Sequence, residues 1–173
     1  MPTTITAKAE TLELSAPQRL SDEHDLTGFD CGEPSINDYL IKRALKAQLQ
    51  KHSVAYVVCL AGTSEVVAFY TLSNGSIARN FVAPRRHQRN SPEMHPVTVL
   101  GRMGVSANAQ GRGYAIDLLQ DALERCLAAS EVVGSTAVIV HPLNERLADF
   151  YAKHAGFVPC PGISPLTMML SLK

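Results

Sequence analysis

Two glycines and an alanine fall within six residues, at the point where a strand-like pattern gives way to a helix-like pattern. The six residues are QGRGYA, residues 110–115, and they include Gly111, Gly113 and Ala115. The first N–H groups of a helix lack partners within the helix and lie at the positive end of its dipole, so this junction suits a bound phosphate. Glycine permits a positive φ angle and puts no side chain between amide and ligand, while Arg112 adds a cation. Gly-rich turns also occur without a ligand, so both interpretations stay open.

Other common ligand motifs are absent from the sequence. The junction lacks the G-x-G-x-x-G register of a dinucleotide fold and the G-K-[ST] of a P-loop, which argues against nicotinamide and nucleoside triphosphate ligands. The six histidines show no pair at ligand spacing on one helix face, and the four cysteines lie far apart. We therefore expect no metal site, and we expect the cysteines to be reduced and mostly in the core.

The surrounding chain is predicted to fold as a mixed α/β domain. Apolar residues at helical spacing predict three helices, over residues 34–50, 113–129 and 144–154. Segments rich in β-branched and aromatic residues predict four strands, over residues 53–62, 65–78, 96–105 and 135–142. The first two strands are close enough in sequence to form a hairpin. No repeat or linker divides the chain, so we expect one domain over residues 1–173, with helices packed on a mixed central sheet.

Prolines and glycines mark the boundaries of these elements. Pro34 suits the first turn of the first helix, and Gly156 suits the position just after the last helix. Gly101 and Gly104, inside the third predicted strand, indicate a bulge or a close approach of two backbones.

Basic residues are concentrated in the middle of the chain, although the net charge is zero. Residues 39–116 hold ten Lys and Arg against two Glu, a net charge of +8 that the flanking segments balance. The densest part is APRRHQRN, residues 83–90, which is predicted to be an exposed loop because it combines Pro84 with three arginines. This asymmetry fits a face for a polyanion, and it also fits an ordinary solvated surface.

No apolar run approaches the length of a membrane-spanning helix, and the first twenty residues lack the charged-then-apolar order of a secretory signal. We therefore expect a cytoplasmic protein without membrane contact.

Two long stretches resemble the GNAT acetyltransferases. LGRMGVSANAQGRGYAIDLLQDAL is similar to the family's motif A, whose Q/R-x-x-G-x-G/A signature is matched by Gln110, Gly113 and Ala115. HPLNERLADFYAKHAGF is similar to motif B. Near the two ends, HDLTGFDCGEPSINDYLIKRAL and SPLTMML resemble a narrower group, the TacT-type acetyltransferase toxins of bacterial toxin-antitoxin pairs.

The family resemblance implies acetyl-CoA as cosubstrate and no metal. It implies that residues 100–105 diverge from residues 137–140, so that the pantetheine arm pairs with the free edge of the first strand. The implied coenzyme-binding residues are Met103, Gly104, Val105, Gln110, Gly111, Arg112, Gly113, Tyr114, Ala115 and Asn144.

The resemblance further implies that Tyr151 is the general acid of a direct transfer. Attack by an amine on a thioester expels a thiolate whose thiol has a pKa of about 8.5, and a phenol can donate a proton to it. By pattern alone Tyr151 also fits ordinary core packing, and Asn144 fits a helix N-cap. No general base is evident, and an α-amine that titrates near pH 8 supplies a neutral fraction without one.

The toxin group acetylates the α-amino group of aminoacyl-tRNA and so blocks translation. The residues that this implies for tRNA phosphates are Arg79, Arg85, Arg86 and Arg89, with Lys42 and Arg43. The same resemblance implies a homodimer and a small antitoxin of the ribbon-helix-helix type. Two alternatives stay open: a GNAT enzyme for a small amine or protein N-terminus, and a non-catalytic nucleic-acid-binding or interaction module of the same fold.

Overall fold

One seven-stranded mixed sheet organises the protein, which we describe from a computed structural model over residues 12–163 and 166–173. The strand order is β1-β2-β3-β4-β5-β7-β6. All neighbouring strands are antiparallel except β4 and β5, which are parallel. The strands are β1 (Gln18–Arg19), β2 (Val54–Cys59), β3 (Val66–Ala78), β4 (Met94–Val105), β5 (Ala137–Val140), β6 (Val158–Pro159) and β7 (Met168–Ser171).

Helices cover both faces of the sheet. The α-helices are α1 (Pro34–Lys42), α2 (Ala44–Leu49), α3 (Tyr114–Val132) and α4 (Glu145–Ala155). Alternate strand residues face opposite sides, so Phe69 packs under α1 and α2 while its neighbour Tyr70 packs under α3. The predicted α/β architecture with helices on both faces is confirmed. Among the described residues, no helix is both long and apolar enough to cross a membrane.

The predicted helix over residues 34–50 is two helices. Arg43 leaves helical geometry with φ −128° and ψ −30°, which separates α1 from α2. Gln48 explains the new direction of α2, because its side chain donates to the Leu20 carbonyl at 2.8 Å and accepts from the Ala55 amide at 3.0 Å. These contacts join α2 to β2, and no proline or glycine announces the break in the sequence.

A polar network joins α3 to the sheet. Tyr70 on β3 donates a short hydrogen bond to Asp121 of α3, and Arg125 donates to the same carboxylate at 3.0 Å. The Arg125 guanidinium also lies over the ring of Tyr56, which is stacked on Tyr70. The start of α3, and with it the glycine-rich junction, is therefore held at a fixed place above the sheet.

Gly101 and Gly104 on β4 both stand where another group approaches closely. The β3–β4 register shifts so that Gly101 and Arg102 together face Thr71, which is a β-bulge. A Cβ on Gly101 would lie 2.8 Å from Thr71 Oγ1, and one on Gly104 would lie 3.2 Å from side chains of Ile36 and Phe29. The bulge at Gly101 is confirmed, whereas the groups that approach both glycines closely are side chains and not a second backbone.

The two parallel strands β4 and β5 separate part way along their length. They pair only from Val97 opposite Ala137 to Val99 opposite Ile139. Beyond Val99, residues 100–105 of β4 keep β3 as a partner on one side but have no strand on the other. The predicted divergence is present, and it leaves the β4 edge open to a ligand with its own hydrogen-bonding groups.

Candidate active site

The glycine-rich junction has the backbone geometry of an anion cradle. Gly111 and Gly113 have φ angles of +76° and +84°, which side chains other than glycine rarely adopt. A Cβ built on either residue meets nothing within 4 Å. Within the described residues, the amides of residues 111–115 donate to no protein acceptor. These N–H groups therefore point to a space that a phosphate can fill.

Arg112 and Gln110 play different parts beside this cradle. Arg112 is half-buried rather than free at a rim, and its Nη1 is buried without a hydrogen-bond partner among the described residues. A buried guanidinium nitrogen without a partner is uncommon, and its burial means that it does not face the open space beside the glycines. Gln110 instead donates through Nε2 to the carbonyls of Cys31 and Val105, at 2.9 and 2.7 Å. Its side chain fixes the loop.

Tyr114 and Asn144 use their side chains within the protein. The Tyr114 hydroxyl donates to the Leu12 carbonyl at 2.9 Å, which leaves its backbone amide as its possible ligand contact. Asn144 Oδ1 accepts from the Leu147 amide at 3.0 Å, so Asn144 is the N-cap of α4. The cap interpretation is confirmed, and a role for Asn144 toward the coenzyme stays a prediction.

A cavity of about 630 Å³ opens where β4 and β5 separate. Residues of α1, α2, the segment before β2, β3, β4, the segment after β5 and α4 line it. Among them are Tyr39, Ser53, Thr71, Arg102, Met103 and Tyr151. Of the described residues that line it, none is Asp or Glu. Met103 is half-buried and faces this cavity, whereas Gly104 and Val105 are buried in the strand.

A second cavity, of about 340 Å³, lies against α3 and differs in charge. Asp117, Asp121 and Glu124 line it together with apolar residues. Three carboxylates disfavour a phosphate-bearing ligand, so the cavity beside Tyr151 is the better candidate for the reaction.

Tyr151 lies between the core and the first cavity. It is 8% exposed, and its ring packs against Phe150 and Phe157 with centroids 5.5 Å away in each case. Its hydroxyl has no hydrogen-bond partner within the described residues, although Tyr151 lines the cavity. Burial raises the pKa of Tyr151 to about 12. Tyr151 is therefore packed like a core residue, but its hydroxyl is not paired among the described residues as that of an ordinary core tyrosine would be.

Sequence reasoning missed three residues that line this cavity: Tyr39, Thr71 and Arg102. The Arg102 guanidinium lies 3.9 Å from the centroid of the Tyr39 ring, and the Arg102 amide donates to Thr71 Oγ1 at 3.0 Å. From the sequence, Arg102 counts among the basic residues of the segment 39–116 and is assigned no other role. The glycine before it was the available signal, because it marks the bulge that sets the position of Arg102.

The six residues predicted to contact tRNA fall into two groups on different elements. Lys42 and Arg43 lie at the end of α1, and Lys42 is paired with Asp38 at 3.2 Å. The other four are exposed on the segment between β3 and β4, and they are Arg79, Arg85, Arg86 and Arg89. That segment packs on β7 through the Ala83 amide and Met169. Desolvation lowers the pKa of His87, and the nearby cations Lys173 and Arg86 lower it further, so Lys173 adds to this basic region.

The cysteines are free thiols and have no role in the cavity. Cys59, Cys126 and Cys160 are buried, and burial raises the pKa of Cys126 and of Cys160 to about 11 in each case. Cys31 is half-buried. The prediction of reduced, mostly core cysteines is confirmed.

The sheet opens between two parallel strands, a glycine-rich turn precedes α3, and a buried tyrosine lines the cavity at the opening. Residues 22–157 match the Acetyltransferase (GNAT) family, and the chain belongs to that family. It is thus an acetyltransferase with acetyl-CoA as the acetyl donor.

Within this family, the chain is similar to several acetyltransferase toxins. The tRNA-acetylating toxin of Mycobacterium tuberculosis is 44% identical over 159 residues, which are 92% of this chain and 93% of that protein. The structure of AtaT complexed with acetyl-methionyl-tRNA matches with a TM-score of 0.85 and 29% identity, over 92% of this chain and 95% of AtaT. A tyrosine-to-phenylalanine mutant of the AtaT toxin, bound to the C-terminus of the antitoxin AtaR and acetyl-CoA, matches with a TM-score of 0.77 and 26% identity, over 92% and 94% of the two chains.

Proposed function

We propose that this protein is a toxin that acetylates the α-amino group of aminoacyl-tRNA, and that a cognate antitoxin neutralises it. The observation that carries the proposal is the unpaired Tyr151 hydroxyl beside a cavity that no described carboxylate lines, at the gap between β4 and β5. The 44% identity to a tRNA-acetylating toxin supports tRNA as the acceptor.

On the donor side, acetyl-CoA supplies an acetyl group activated as a thioester. The amides of residues 111–115 are suited to hold its pyrophosphate, because open space surrounds Gly111 and Gly113. The open edge of β4 beyond Val99 is suited to pair with the amides of the pantetheine arm, next to Met103 and Val105.

In the chemical step, the acceptor amine attacks the thioester carbonyl, a C–N bond forms and the C–S bond breaks. Tyr151 gives its proton, or a hydrogen bond, to the sulfur that leaves as a thiolate. The amine proton goes to solvent, and no covalent enzyme intermediate forms. Because no described carboxylate lines the cavity, we assign no general base, and the amine reacts from its neutral fraction.

On the acceptor side, the arginines between β3 and β4 are suited to the RNA backbone. Arg79 also donates to the Ser91 carbonyl at 2.8 Å, which orders that side chain. Contacts of this kind hold the phosphates without selecting a base sequence. Charged tRNA is a cytoplasmic molecule, so we expect the enzyme to act in the cytoplasm. We also expect a homodimer and an antitoxin of the ribbon-helix-helix type.

The first test is transfer of labelled acetyl from acetyl-CoA to charged tRNA, with deacylated tRNA, free amino acids and peptides as competing acceptors. Label is expected on charged tRNA only. Tyr151→Phe is expected to lower kcat by about 10²- to 10⁴-fold, the usual contribution of a general acid, with the Kd for acetyl-CoA unchanged. Tyr56→Phe, which removes a tyrosine hydroxyl elsewhere on the sheet, is the matched control and should retain activity.

Other outcomes select the alternatives. Label on small amines or protein N-termini instead of tRNA would assign the enzyme to those acceptors. Wild-type kcat in Tyr151→Phe would remove the tyrosine from the mechanism. Binding of RNA without any acetyl transfer would identify a non-catalytic RNA-binding protein.

A further inference from the structure

Arg102 is a positioned cation that the reaction described above does not use. Its guanidinium lies 3.9 Å from the centroid of Tyr39, and the Tyr39 hydroxyl is 2.9 Å from Ser53 Oγ. Its backbone is fixed as well, because the Arg102 amide donates to Thr71 Oγ1 at the bulge. Arg102, Tyr39 and Thr71 all line the cavity that Tyr151 lines. A flexible surface arginine has none of these restraints.

This cation has no anionic partner among the residues that the structure describes. The ion pairs within residues 12–163 and 166–173 are Lys42 with Asp38 and Arg125 with Asp121. No described Asp or Glu lines the cavity. A guanidinium held flat on an aromatic ring keeps its edge N–H groups available, and their planar arrangement matches the oxygens of a phosphate.

The bulge is what brings Arg102 to this position. Gly101 and Arg102 both face Thr71, so β4 carries one residue more than β3 at this point. An extra residue in a strand redirects the side chains that follow it, and bulges occur often beside active sites. Gly101 is required there, because a Cβ would lie 2.8 Å from Thr71 Oγ1.

We propose that Arg102, stacked on Tyr39, binds a phosphodiester of the acceptor RNA next to the aminoacyl group, and so positions the α-amine for attack. The inference rests on the proposed function and adds a binding residue at the lining of the cavity. Arg102 is itself exposed, but it lies on a different element from the arginines between β3 and β4. An aminoacyl ester on the last ribose of an RNA places the nearest phosphate one nucleoside away from the amine. Arg102 therefore recognises the end of the RNA, whatever the amino acid.

Two small acceptors that differ by one phosphate test this. They are 3′-aminoacyl-adenosine and the same molecule with a 5′-phosphate, and neither reaches a distant basic surface. The wild-type enzyme is expected to have a KM about 10- to 100-fold lower for the phosphorylated acceptor, the effect of one charge-assisted hydrogen-bonded contact. Arg102→Met should abolish this preference by raising the KM for the phosphorylated acceptor toward that for the unphosphorylated one, and leave the Kd for acetyl-CoA near wild type. Arg102→Lys, which keeps charge but not the planar stack, should retain part of it.

Arg19→Met on the edge strand β1 is the matched control, since it removes an exposed arginine outside the cavity. Tyr39→Leu should weaken the phosphate preference without removing a charge, and a thermal melt of each variant detects any loss of folding. A phosphate preference that survives in Arg102→Met, or that the wild type lacks, overturns the inference.

Binding separates this inference from the proposed function. If no aminoacylated acceptor is acetylated, the proposed function fails. The affinity for a CCA trinucleotide without an amino acid still tests Arg102. A loss of about tenfold or more in Arg102→Met, but not in Arg19→Met, supports the phosphate contact; equal affinities reject it.

Discussion

Burial sets how Tyr151 can act. The ring is 8% exposed and the hydroxyl has no partner among the described residues, and burial raises the pKa of Tyr151 to about 12. The phenol is therefore neutral throughout the physiological range. On the proposed function it is a weaker acid than the thiol it serves, so we expect it to act mainly through a hydrogen bond that strengthens as negative charge develops on sulfur.

The pH dependence of kcat/KM follows from these two groups. On the proposed function, activity requires protonated Tyr151, which is present below about pH 12, and a neutral acceptor amine, whose fraction rises through pH 8. We expect kcat/KM to rise with pH to a plateau and not to fall before about pH 10. The measurement uses an amide-linked aminoacyl analogue, which withstands alkaline pH. A descending limb near pH 8 to 9 would contradict the assignment of a buried, neutral tyrosine.

At single residues, the sequence was sufficient to predict residues that belong to a short motif. It was not sufficient to predict residues whose position depends on strand register. Gly111 and Gly113 could be predicted, because two glycines at a helix start imply positive φ angles. Tyr151 was ambiguous by pattern, since helical spacing describes a core residue and a catalytic one equally. Arg102 was missed because its direction depends on the bulge opposite Thr71, and strand register involves residues distant in sequence.

At the scale of the element, the junction before α3 has a backbone conformation that favours glycine, at the place where we propose that the coenzyme binds. Gly113 has a φ of +84° and precedes the first residue of the helix. Alanine in this region costs about 1–2 kcal/mol, and only glycine adopts it routinely. The geometry is consistent with selection for open amides rather than for packing, since a Cβ there contacts no protein atom.

Gly113→Ala should therefore raise the KM for acetyl-CoA by about tenfold, through a lost amide contact and a methyl group in the ligand space. Gly62→Ala is the control, because Gly62 has a φ of +75° and similar open space in the β2–β3 hairpin. Both variants should lose about 1–2 kcal/mol of unfolding free energy. A KM that rises equally in both, or in neither, would place the coenzyme elsewhere.

The types of the helices and strands could be predicted from the sequence, whereas their boundaries were harder to predict. Apolar periodicity identified the long helix α3 and the strands β2 to β5, since each has a face or a whole surface in the core. The break at Arg43 has no local signal, and it depends on the side chain of Gln48, which bonds residues of the sheet and of the N-terminal segment. The two-residue strands β1 and β6 are too short to leave a periodic pattern.

Over the whole molecule, folding separates charges that are continuous in sequence. The basic segment supplies the exposed arginines between β3 and β4, the end of α1 and the cavity residue Arg102. Lys42 is neutralised locally by Asp38, with both side chains largely exposed, so its contribution to a polyanion site is small. The sequence count of +8 thus overstates the charge that one surface can present.

The triple variant Arg85→Ala, Arg86→Ala, Arg89→Ala tests that surface. We expect weaker binding of charged tRNA at low salt, and a slope of log Kd against log salt reduced by about 2 to 3, one for each lost phosphate contact. Acetylation of 3′-aminoacyl-adenosine should be unchanged, because that acceptor does not extend beyond the cavity. An unaltered salt slope would exclude these three arginines from the RNA-binding surface.

The divergence of β4 from β5 links ligand binding to folding. Among the described residues, no strand pairs with the second edge of β4 along residues 100–105. Backbone N–H and C=O groups on that edge are therefore left to solvent or to a ligand. On the proposed function, the pantetheine arm acts as a supplementary strand that the chain does not encode. A ligand that binds only the folded state adds RT ln(1 + [L]/Kd) to stability, about 2.7 kcal/mol at a hundredfold excess over Kd. The persistence of the folded enzyme in a cell then depends on its supply of acetyl donor, and the protein's lifetime becomes a function of metabolic state.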